Sequence, residues 1–382
     1  MRATRSGAIE PAAAREGELL LRCARQRLAA ADVARVRMLA GRELDWDALF
    51  DLADAHRLTP LLHRHVSEAA ADLVPAARLQ QLRECALAHA ALSLRLAAEL
   101  RDVIALFSAH AIRALPHKGP VLAQRAYGSL VSRQMGDLDI LVRPRDVARV
   151  RTLLLSVGYR SPRSRIAIPG TLALEYQHRL EHEQDGTVIE LHWTITPRSL
   201  AAAPSLDELW ERHETMSLLG TEIPTLGAAD LLLVLCLHGA KHRWCRLELI
   251  ASVAELLSRG GDAIDWNALI ARAAVLGNLR MLCLGLALAH DLLDAPLPEP
   301  VRRATRDDPG ALALAASVRE TMLTWTIPDP ERAPLGLHRF RLRAKERLGD
   351  RLRYLLAWPA LSAVRMAGGL AGRIEPWSGA RG

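Results

Sequence analysis

The sequence predicts an α+β protein, mostly helical, with a small sheet held between two helical lobes. Three observations predict it. Apolar residues recur at three- and four-residue steps from about residue 16 to 110 and again after Pro197. Between Ala111 and Pro197 the texture changes to short apolar runs alternating with helix-like segments. The longest uncharged apolar run, Met281 to Ala289, falls far short of the roughly 18 to 20 residues of a membrane span. The 382 residues are 50% hydrophobic and 24% charged, which excludes disorder over most of the length. The start, MRATRSGAIEPAAAREGELL, has no continuous apolar segment and reads as no export signal, so a cytoplasmic protein is expected.

These changes of texture divide the chain into an N-terminal helical lobe (1–110), an α/β core (111–200), a C-terminal helical lobe (201–295) and a linker with a basic helical tail (296–382). In the first lobe, Leu79 to His110 reads as one long amphipathic helix. In the core, strands are expected at Ala111–Leu115, Asp137–Arg143, Leu172–His178 and Thr187–Trp193, with helices at Pro120–Ser129 and Asp146–Val157. Helices follow at Ser205–His213, Ala228–His242, Leu247–Ser258, Trp266–Leu276 and Leu279–Leu292. Asp294 to Pro300 is proline-rich and reads as a linker, and Leu335 to Leu356 reads as a strongly basic helix. That helix is chiefly a solvated face with intrahelical pairs, an anionic partner being the alternative. The five cysteines form no CxxC pair or disulfide framework and read as buried thiols, Cys245 least clearly.

The net charge of +7 suits nucleotides, nucleic acid or acidic small molecules. Only three of the 50 basic residues are lysine: Lys118, Lys241 and Lys345. In so arginine-rich a chain a lysine marks a place for a compact point charge. Lys118 and Lys241 are expected to face a cleft, and Lys345 to face solvent.

The chemistry is densest in HKGPVLAQRAYGSLVSRQMGDLDILVRPRDVARV, residues 117 to 150. Gly119 stands at a strand-to-helix turn with Pro120 at a favourable first helical position, and helix N-termini attract phosphates. In the strand that follows, alternation places Asp137 and Asp139 on one face, roughly 6.6 Å apart along the chain, and Leu138 and Ile140 on the other. In TVIELHW, residues 187 to 193, Glu190 and His192 share a face opposite Ile189, Leu191 and Trp193. If the two strands are neighbours, Asp137, Asp139 and Glu190 converge and suit two Mg²⁺ or Mn²⁺ ions about 3.5 to 4 Å apart, an array fit for phosphoryl or nucleotidyl transfer. His192 reads as a packing or supporting residue beside Glu190.

The order of these parts resembles the polymerase-β-type nucleotidyltransferase superfamily. In finer detail KG, LA, Y, R, GDLDILV, Gly158-Tyr159, His178, IELHW and LHGAKHRW resemble a bacterial nucleotidyltransferase-like family, largely uncharacterised, from Asp45-Trp46 and His56 to about Leu257. The resemblance implies a minimal nucleotidyltransferase core, metal binding by Asp137, Asp139 and Glu190, a phosphate-facing role for Gly119 with Lys118, and Arg133 near the nucleotide. A nucleoside triphosphate would donate its monophosphate to an acceptor (a sugar, a peptide, an RNA end or a protein) with release of pyrophosphate. Two departures stand out. Gly119-Pro120 replaces the superfamily's Gly-Ser or Gly-Gly, which leaves the phosphate contact to Lys118. After LHGAKHRW the family pattern has a tryptophan and then an aspartate, where this chain has Leu249 and Ser252.

His238, Lys241 and His242 share a helix face. HGAKH lacks the glutamate of a zinc-protease helix, so the face reads either as a buried polar patch or as a nucleotide contact through Lys241 with His238. His178 is a further candidate for nucleotide binding. Two rivals stay open. A DxD glycosyltransferase needs a Rossmann-like half before the DxD, where this sequence is helical. A non-catalytic nucleotide- or partner-binding module on the same fold draws its support from Pro120 and Ser252.

Overall fold

The computed structural model describes residues 13–161, 176–325 and 334–356. Among the described residues, five α-helices build the first lobe: α1 (Ala13–Cys23), α2 (Ala30–Ala40), α3 (Trp46–Ala55), α4 (Thr59–Ala70) and α5 (Ala76–Ala109). Asp45 starts α3 by accepting from the Ala48 backbone N–H, and Pro60 lies in the first turn of α4, where no intrahelical donor is lost. The 34-residue α5 is the long helix expected from Leu79 onward. It links two cores: Leu82 packs with the first lobe, while Leu96 to Phe107 pack under the sheet.

Ala111, in the left-handed region at φ +54°, reverses the chain after α5, so the first strand starts three residues later than the apolar pattern suggests. The core then runs β1 (Ala114–Pro116), α6 (Gly119–Leu122), β2 (Leu138–Val142), α7 (Val147–Ser156), β3 (Tyr159–Arg160), β4 (Gln177–His182) and β5 (Val188–His192). After α6 the same helical path widens into a π turn, Ala123–Tyr127, and ends at Gly128 in the left-handed region. The third expected strand lies outside the described residues from 172 to 175, and its described part begins at Gln177. The sheet order is β1-β2-β5-β4-β3, with β2 and β5 parallel and every other pair antiparallel. Leu138, Ile140, Ile189 and Leu191 bury one face against α5 and α7. Leu115 and Leu141, on the other face, join the apolar cluster of the helical lobes.

The second lobe contains α8 (Leu206–Glu211), β6 (Glu214–Leu218), β7 (Thr221–Thr225), α9 (Ala228–Lys241), α10 (Leu247–Gly260), α11 (Trp266–Leu276), α12 (Leu279–Leu293), α13 (Glu299–Arg306), α14 (Pro309–Met322) and α15 (Pro334–Ala344), with a further helix over 348–356. The β6–β7 hairpin is not foreseen from the sequence. Its two-residue turn puts Leu219 and Gly220 at positive φ, and leucine is not the asparagine or aspartate that marks such turns. The expected linker shrinks to the turn between Leu293 and Glu299, and α13 and α14 pack on α12 through Val301, Leu314, Val318 and Met322. One apolar cluster runs through both helical lobes. Among the described residues no helix is long and apolar enough to cross a membrane.

Two expectations about side chains are corrected. Cys23, Cys236 and Cys283 are buried and Cys245 is half-buried, but Cys85 lies on the solvent side of α5. Lys345 does not face solvent. It is 3% exposed, donates a hydrogen bond to the Leu200 carbonyl, and lies 5.3 Å from the centre of the Tyr354 ring. The neighbouring arginines of the basic tail are also engaged: Arg341 donates to the Lys241 carbonyl, Arg347 to the Val275 carbonyl and Arg351 to the Lys345 carbonyl.

Burial pulls the Lys345 ammonium from its ordinary 10.5 down to about 8. Between those values the unfolded chain holds the proton and the folded chain has released it, so Lys345 favours folding increasingly as pH rises through this window. Urea denaturation at stepped pH should show the stability difference between wild type and Lys345→Met moving toward wild type from pH 8 to 10. A difference that stays constant with pH contradicts a buried ammonium at this position.

Candidate functional site

The sheet register assembles the site. Asp139 pairs with Glu190 across the parallel β2–β5 contact, Glu190 pairs with Arg179 on β4, and the His117 N–H donates to the Asp139 carbonyl at 3.2 Å. His117, Asp139, Glu190 and Arg179 therefore form one cross-strand row, on the face opposite Ile140 and Leu191. His192, two residues beyond Glu190, shares that face. Its Nε2 lies 3.0 Å from Asp139 Oδ1 and 3.6 Å from Glu190 Oε2. Asp139 and His192 are each 2% exposed, whereas Asp137, just before the strand, and Glu190 are half-buried at the rim.

Lys118 and Gly119 form the turn beside this row. Gly119 is buried at φ +57°, and a Cβ there would sit 3.0 Å from the Asp137 carbonyl oxygen, so both conformation and space require glycine. That close approach brings the Lys118 ammonium into an ion pair with Asp139. Burial alone would raise the Asp139 carboxyl, but Lys118 and the His192 hydrogen bond outweigh it and hold the group well below the usual carboxylate range. Burial would likewise lower Lys118, yet Asp139 and Asp137 raise it. At Asp137 burial and the Asp139 charge push the carboxyl up, and at Glu190 the His192 hydrogen bond overcomes burial and brings it down. The row thus contains carboxyls held at different protonation tendencies within one small volume.

Helix α9 brings His238, Lys241 and His242 over the same face. Lys241 Nζ donates to the Tyr176 hydroxyl at 2.6 Å, and the Tyr176 ring lies 5.9 Å from that of His192. Burial, then the Lys118 charge, pulls Lys241 down to about 8, with Glu190 and Asp139 opposing the shift. His238 is pushed well below its ordinary value by burial and by Lys118. The glycine and tryptophan of LHGAKHRW serve packing: a Cβ on Gly239 would meet the Trp244 ring at 2.5 Å, and Trp244 is fully buried.

Arg133 feels the charges of Asp137 and Asp139 and takes its ion-pair partner from α10. It is buried and ion-paired with Glu248 on α10, with Nε 3.5 Å from Ser252 Oγ, which in turn is 3.3 Å from the Tyr127 hydroxyl. Ser252 stands where an aspartate was expected, and Glu248, one helical turn earlier on the same face, supplies a carboxylate to this network. Gln134 donates to Asp54 Oδ1 at 2.9 Å, so the loop leading into Asp137 is tied to both helical lobes. His56 Nδ1 accepts from the Leu247 N–H at the start of α10, and burial takes His56 down to about 4, keeping it an acceptor. His178 is not brought to the site. It pairs with Leu191, on the other face of the sheet from Glu190, and its Nε2 lies 3.0 Å from Ser161 Oγ.

His117 was missed by the sequence reading, and the supporting reading of His192 understated its contact with Asp139. Among the described residues, His117, Asp139 and His192 form the group whose ligating atoms all lie within 4.8 Å of one another, and Asp137 and Glu190 flank it without joining it. Their oxygens remain the hard donors that Mg²⁺ prefers, so the donor chemistry fits the ion that the three-acid reading calls for.

Residues 42–294 match the model of a family described as uncharacterised nucleotidyltransferase. No curated protein matches the chain.

Removing one partner of a buried ion pair strands the other charge, at a cost of roughly 3 to 5 kcal/mol, whereas an apolar pair of similar volume is tolerated. Arg133→Met should therefore lower the unfolding free energy by about that amount, and adding Glu248→Leu should recover part of the loss. Chemical denaturation of the two variants measures both. Equal destabilisation in the single and the double variant would refute the pairing.

Proposed function

The chain belongs to this nucleotidyltransferase family, and on that footing we propose that the acid row of β2 and β5 performs metal-dependent transfer of a nucleoside monophosphate from a triphosphate to an acceptor, releasing pyrophosphate. The observation that carries the reading is the in-register pairing of Asp139 with Glu190 across two parallel strands, with the Lys118-Gly119 turn beside it. Asp137, Asp139 and Glu190 would hold Mg²⁺ or Mn²⁺. Bound there, such an ion lowers the pKa of an attacking hydroxyl and steadies triphosphate charge.

The protein's own groups divide the remaining work. His192 fixes the Asp139 carboxylate through a hydrogen bond, which holds its oxygens in one orientation. Lys118, enclosed by the acid row, brings a positive charge within reach of the triphosphate once the carboxylates have other partners. Lys241 and His238 approach from α9, where Lys241 would add a second ammonium for the nucleotide, within electrostatic reach of Glu190 and Asp139. Arg133 acts through Glu248, holding the loop that presents Asp137. The acceptor oxygen bonds to the α-phosphorus as the bond to pyrophosphate breaks, and the acceptor proton passes to solvent.

Mass spectrometry of cell extract incubated with the protein, Mg²⁺ and each isotope-labelled triphosphate tests the reading and assigns the acceptor among sugar, peptide, RNA and protein. Asp139→Asn is close to isosteric and should keep the wild-type circular dichroism spectrum. It should cut transfer about a hundredfold or more, since each 1.36 kcal/mol lost from the transition state is about a factor of ten. Wild-type turnover in Asp139→Asn removes the acid row from the mechanism. Metal-dependent nucleotide binding with no labelled product in any fraction supports the binding module instead.

A further inference from the structure

We propose that His117, Asp139 and His192 form a binding site for a transition-metal ion of borderline character, Co²⁺ or Zn²⁺, that the chain takes up without nucleotide. The three donors come from separate strands or strand ends and converge, with one ligating atom of each within 4.8 Å of the others. Ligands about 2.0 to 2.2 Å from one ion stand at comparable or smaller separations from each other, so modest side-chain rotation closes the group. All three are almost fully enclosed, with His117 1% exposed and Asp139 and His192 2% each.

Two unpartnered ring nitrogens belong to this same group. Nδ1 of His117 and Nδ1 of His192 are buried with no hydrogen-bond partner. Buried polar atoms left unpaired are costly, and here two of them belong to adjacent rings, 5.1 Å apart between centres, beside Asp139. The donor set decides the class of ion. Two imidazoles with one carboxylate suit Co²⁺ and Zn²⁺, whereas Mg²⁺ and Mn²⁺ favour oxygen ligands.

Lys118 supplies the other half of the inference. Its ammonium already pairs with Asp139, so an entering ion competes with a resident cation. The displaced ammonium has carboxylates nearby, because the Lys118-Gly119 turn lies against Asp137 and Glu190 pairs in register with Asp139. The site therefore exchanges one cation for another on Asp139 while the neighbouring carboxylates keep the lysine. This holds whether or not the chain transfers nucleotides.

The test uses the full chain, free of affinity tag and stripped with a chelator that is then removed, titrated with Co²⁺ in the absence of nucleotide. Visible ligand-field absorption and calorimetry report binding, and excess Mg²⁺ serves as competitor. One equivalent of Co²⁺ should bind and resist Mg²⁺. His117→Ala and His192→Ala should each weaken binding about tenfold or more, while Asp137→Asn should leave it in place. Lys118→Met should tighten it several-fold. Failure of wild type to take up one equivalent overturns the proposal, as does unchanged affinity in both histidine variants or loss of Co²⁺ binding in Asp137→Asn. Should a histidine variant lose its helical spectrum, Lys118→Met decides: tighter binding supports the site, and unchanged or weaker binding overturns it. Nucleotidyl transfer assayed in Mg²⁺ is a separate readout, so failure of one reading is not failure of the other.

Discussion

The negative charge of Asp139, enclosed in the middle of the sheet, has to be balanced inside the protein, and much of the site's architecture follows from that requirement. An isolated buried carboxylate would take up a proton instead of staying ionised. The chain supplies Lys118 from the turn after β1 and His192 from β5. The lysine reaches Asp139 because Gly119 lets the turn lie against the Asp137 backbone, where any side chain would collide with the carbonyl oxygen. The histidine reaches it because parallel pairing sets Asp139 beside Glu190, leaving His192 one step further along the same face. Strand register, glycine geometry and charge balance are thus different views of one constraint.

The same constraint explains why so small a sheet needs two helical lobes. One face is apolar and packs on α5 and α7 in the ordinary way. The other combines Leu115 and Leu141 with a row of ionisable groups, and no purely apolar helix can cover it. Helix α9 is buried along most of its length but ends in His238, Lys241 and His242 over the charged row. The loop into Asp137 is fixed from two sides, by Asp54 through Gln134 and by Glu248 through Arg133. A buried ion pair adds little net stability over an apolar substitute, but its geometry is specific, which suits a loop that must present one carboxylate in one place.

Periodicity made most of the fold legible. The helices from Ala228 to Leu293 follow their three- and four-residue apolar spacing, with ends within two residues of expectation. Alternation set Asp139 opposite Leu138 and Ile140, and Glu190 opposite Ile189 and Leu191, within their own strands. What it could not give was long-range partnership. His117 lies next to Lys118 in sequence, but its position beside Asp139 depends on how β1 pairs with β2. By sequence His178 is the nucleotide-binding candidate and His192 a supporting residue, and only the β4–β5 register shows which of them shares the face of Asp139. Arg133 carried a positive charge in a suggestive place, and its partner lies 115 residues away. Glu248 and Ser252, one helical turn apart on α10, both join the network around Arg133, a partnership that neither residue reveals in sequence.

The lysines carry this reasoning to its last step. In a chain whose positive charge is nearly all arginine, the three exceptions are each at least partly enclosed, and each ammonium meets an oxygen: the Asp139 carboxylate, the Tyr176 hydroxyl and the Leu200 carbonyl. A guanidinium brings five donors in a rigid plane, and in a confined space several would stay unsatisfied. An ammonium is compact, turns freely about its stem and loses its proton more readily when buried, as Lys241 and Lys345 do near pH 8. By sequence alone this logic covers Lys118 and Lys241, while Lys345, set in a strongly basic tail, is expected to face solvent. The structure extends it to all three, since Lys345 turns inward while arginines beside it hold the carbonyls around the tail. Residue choice at these positions therefore follows local enclosure and not the charge of the neighbouring sequence.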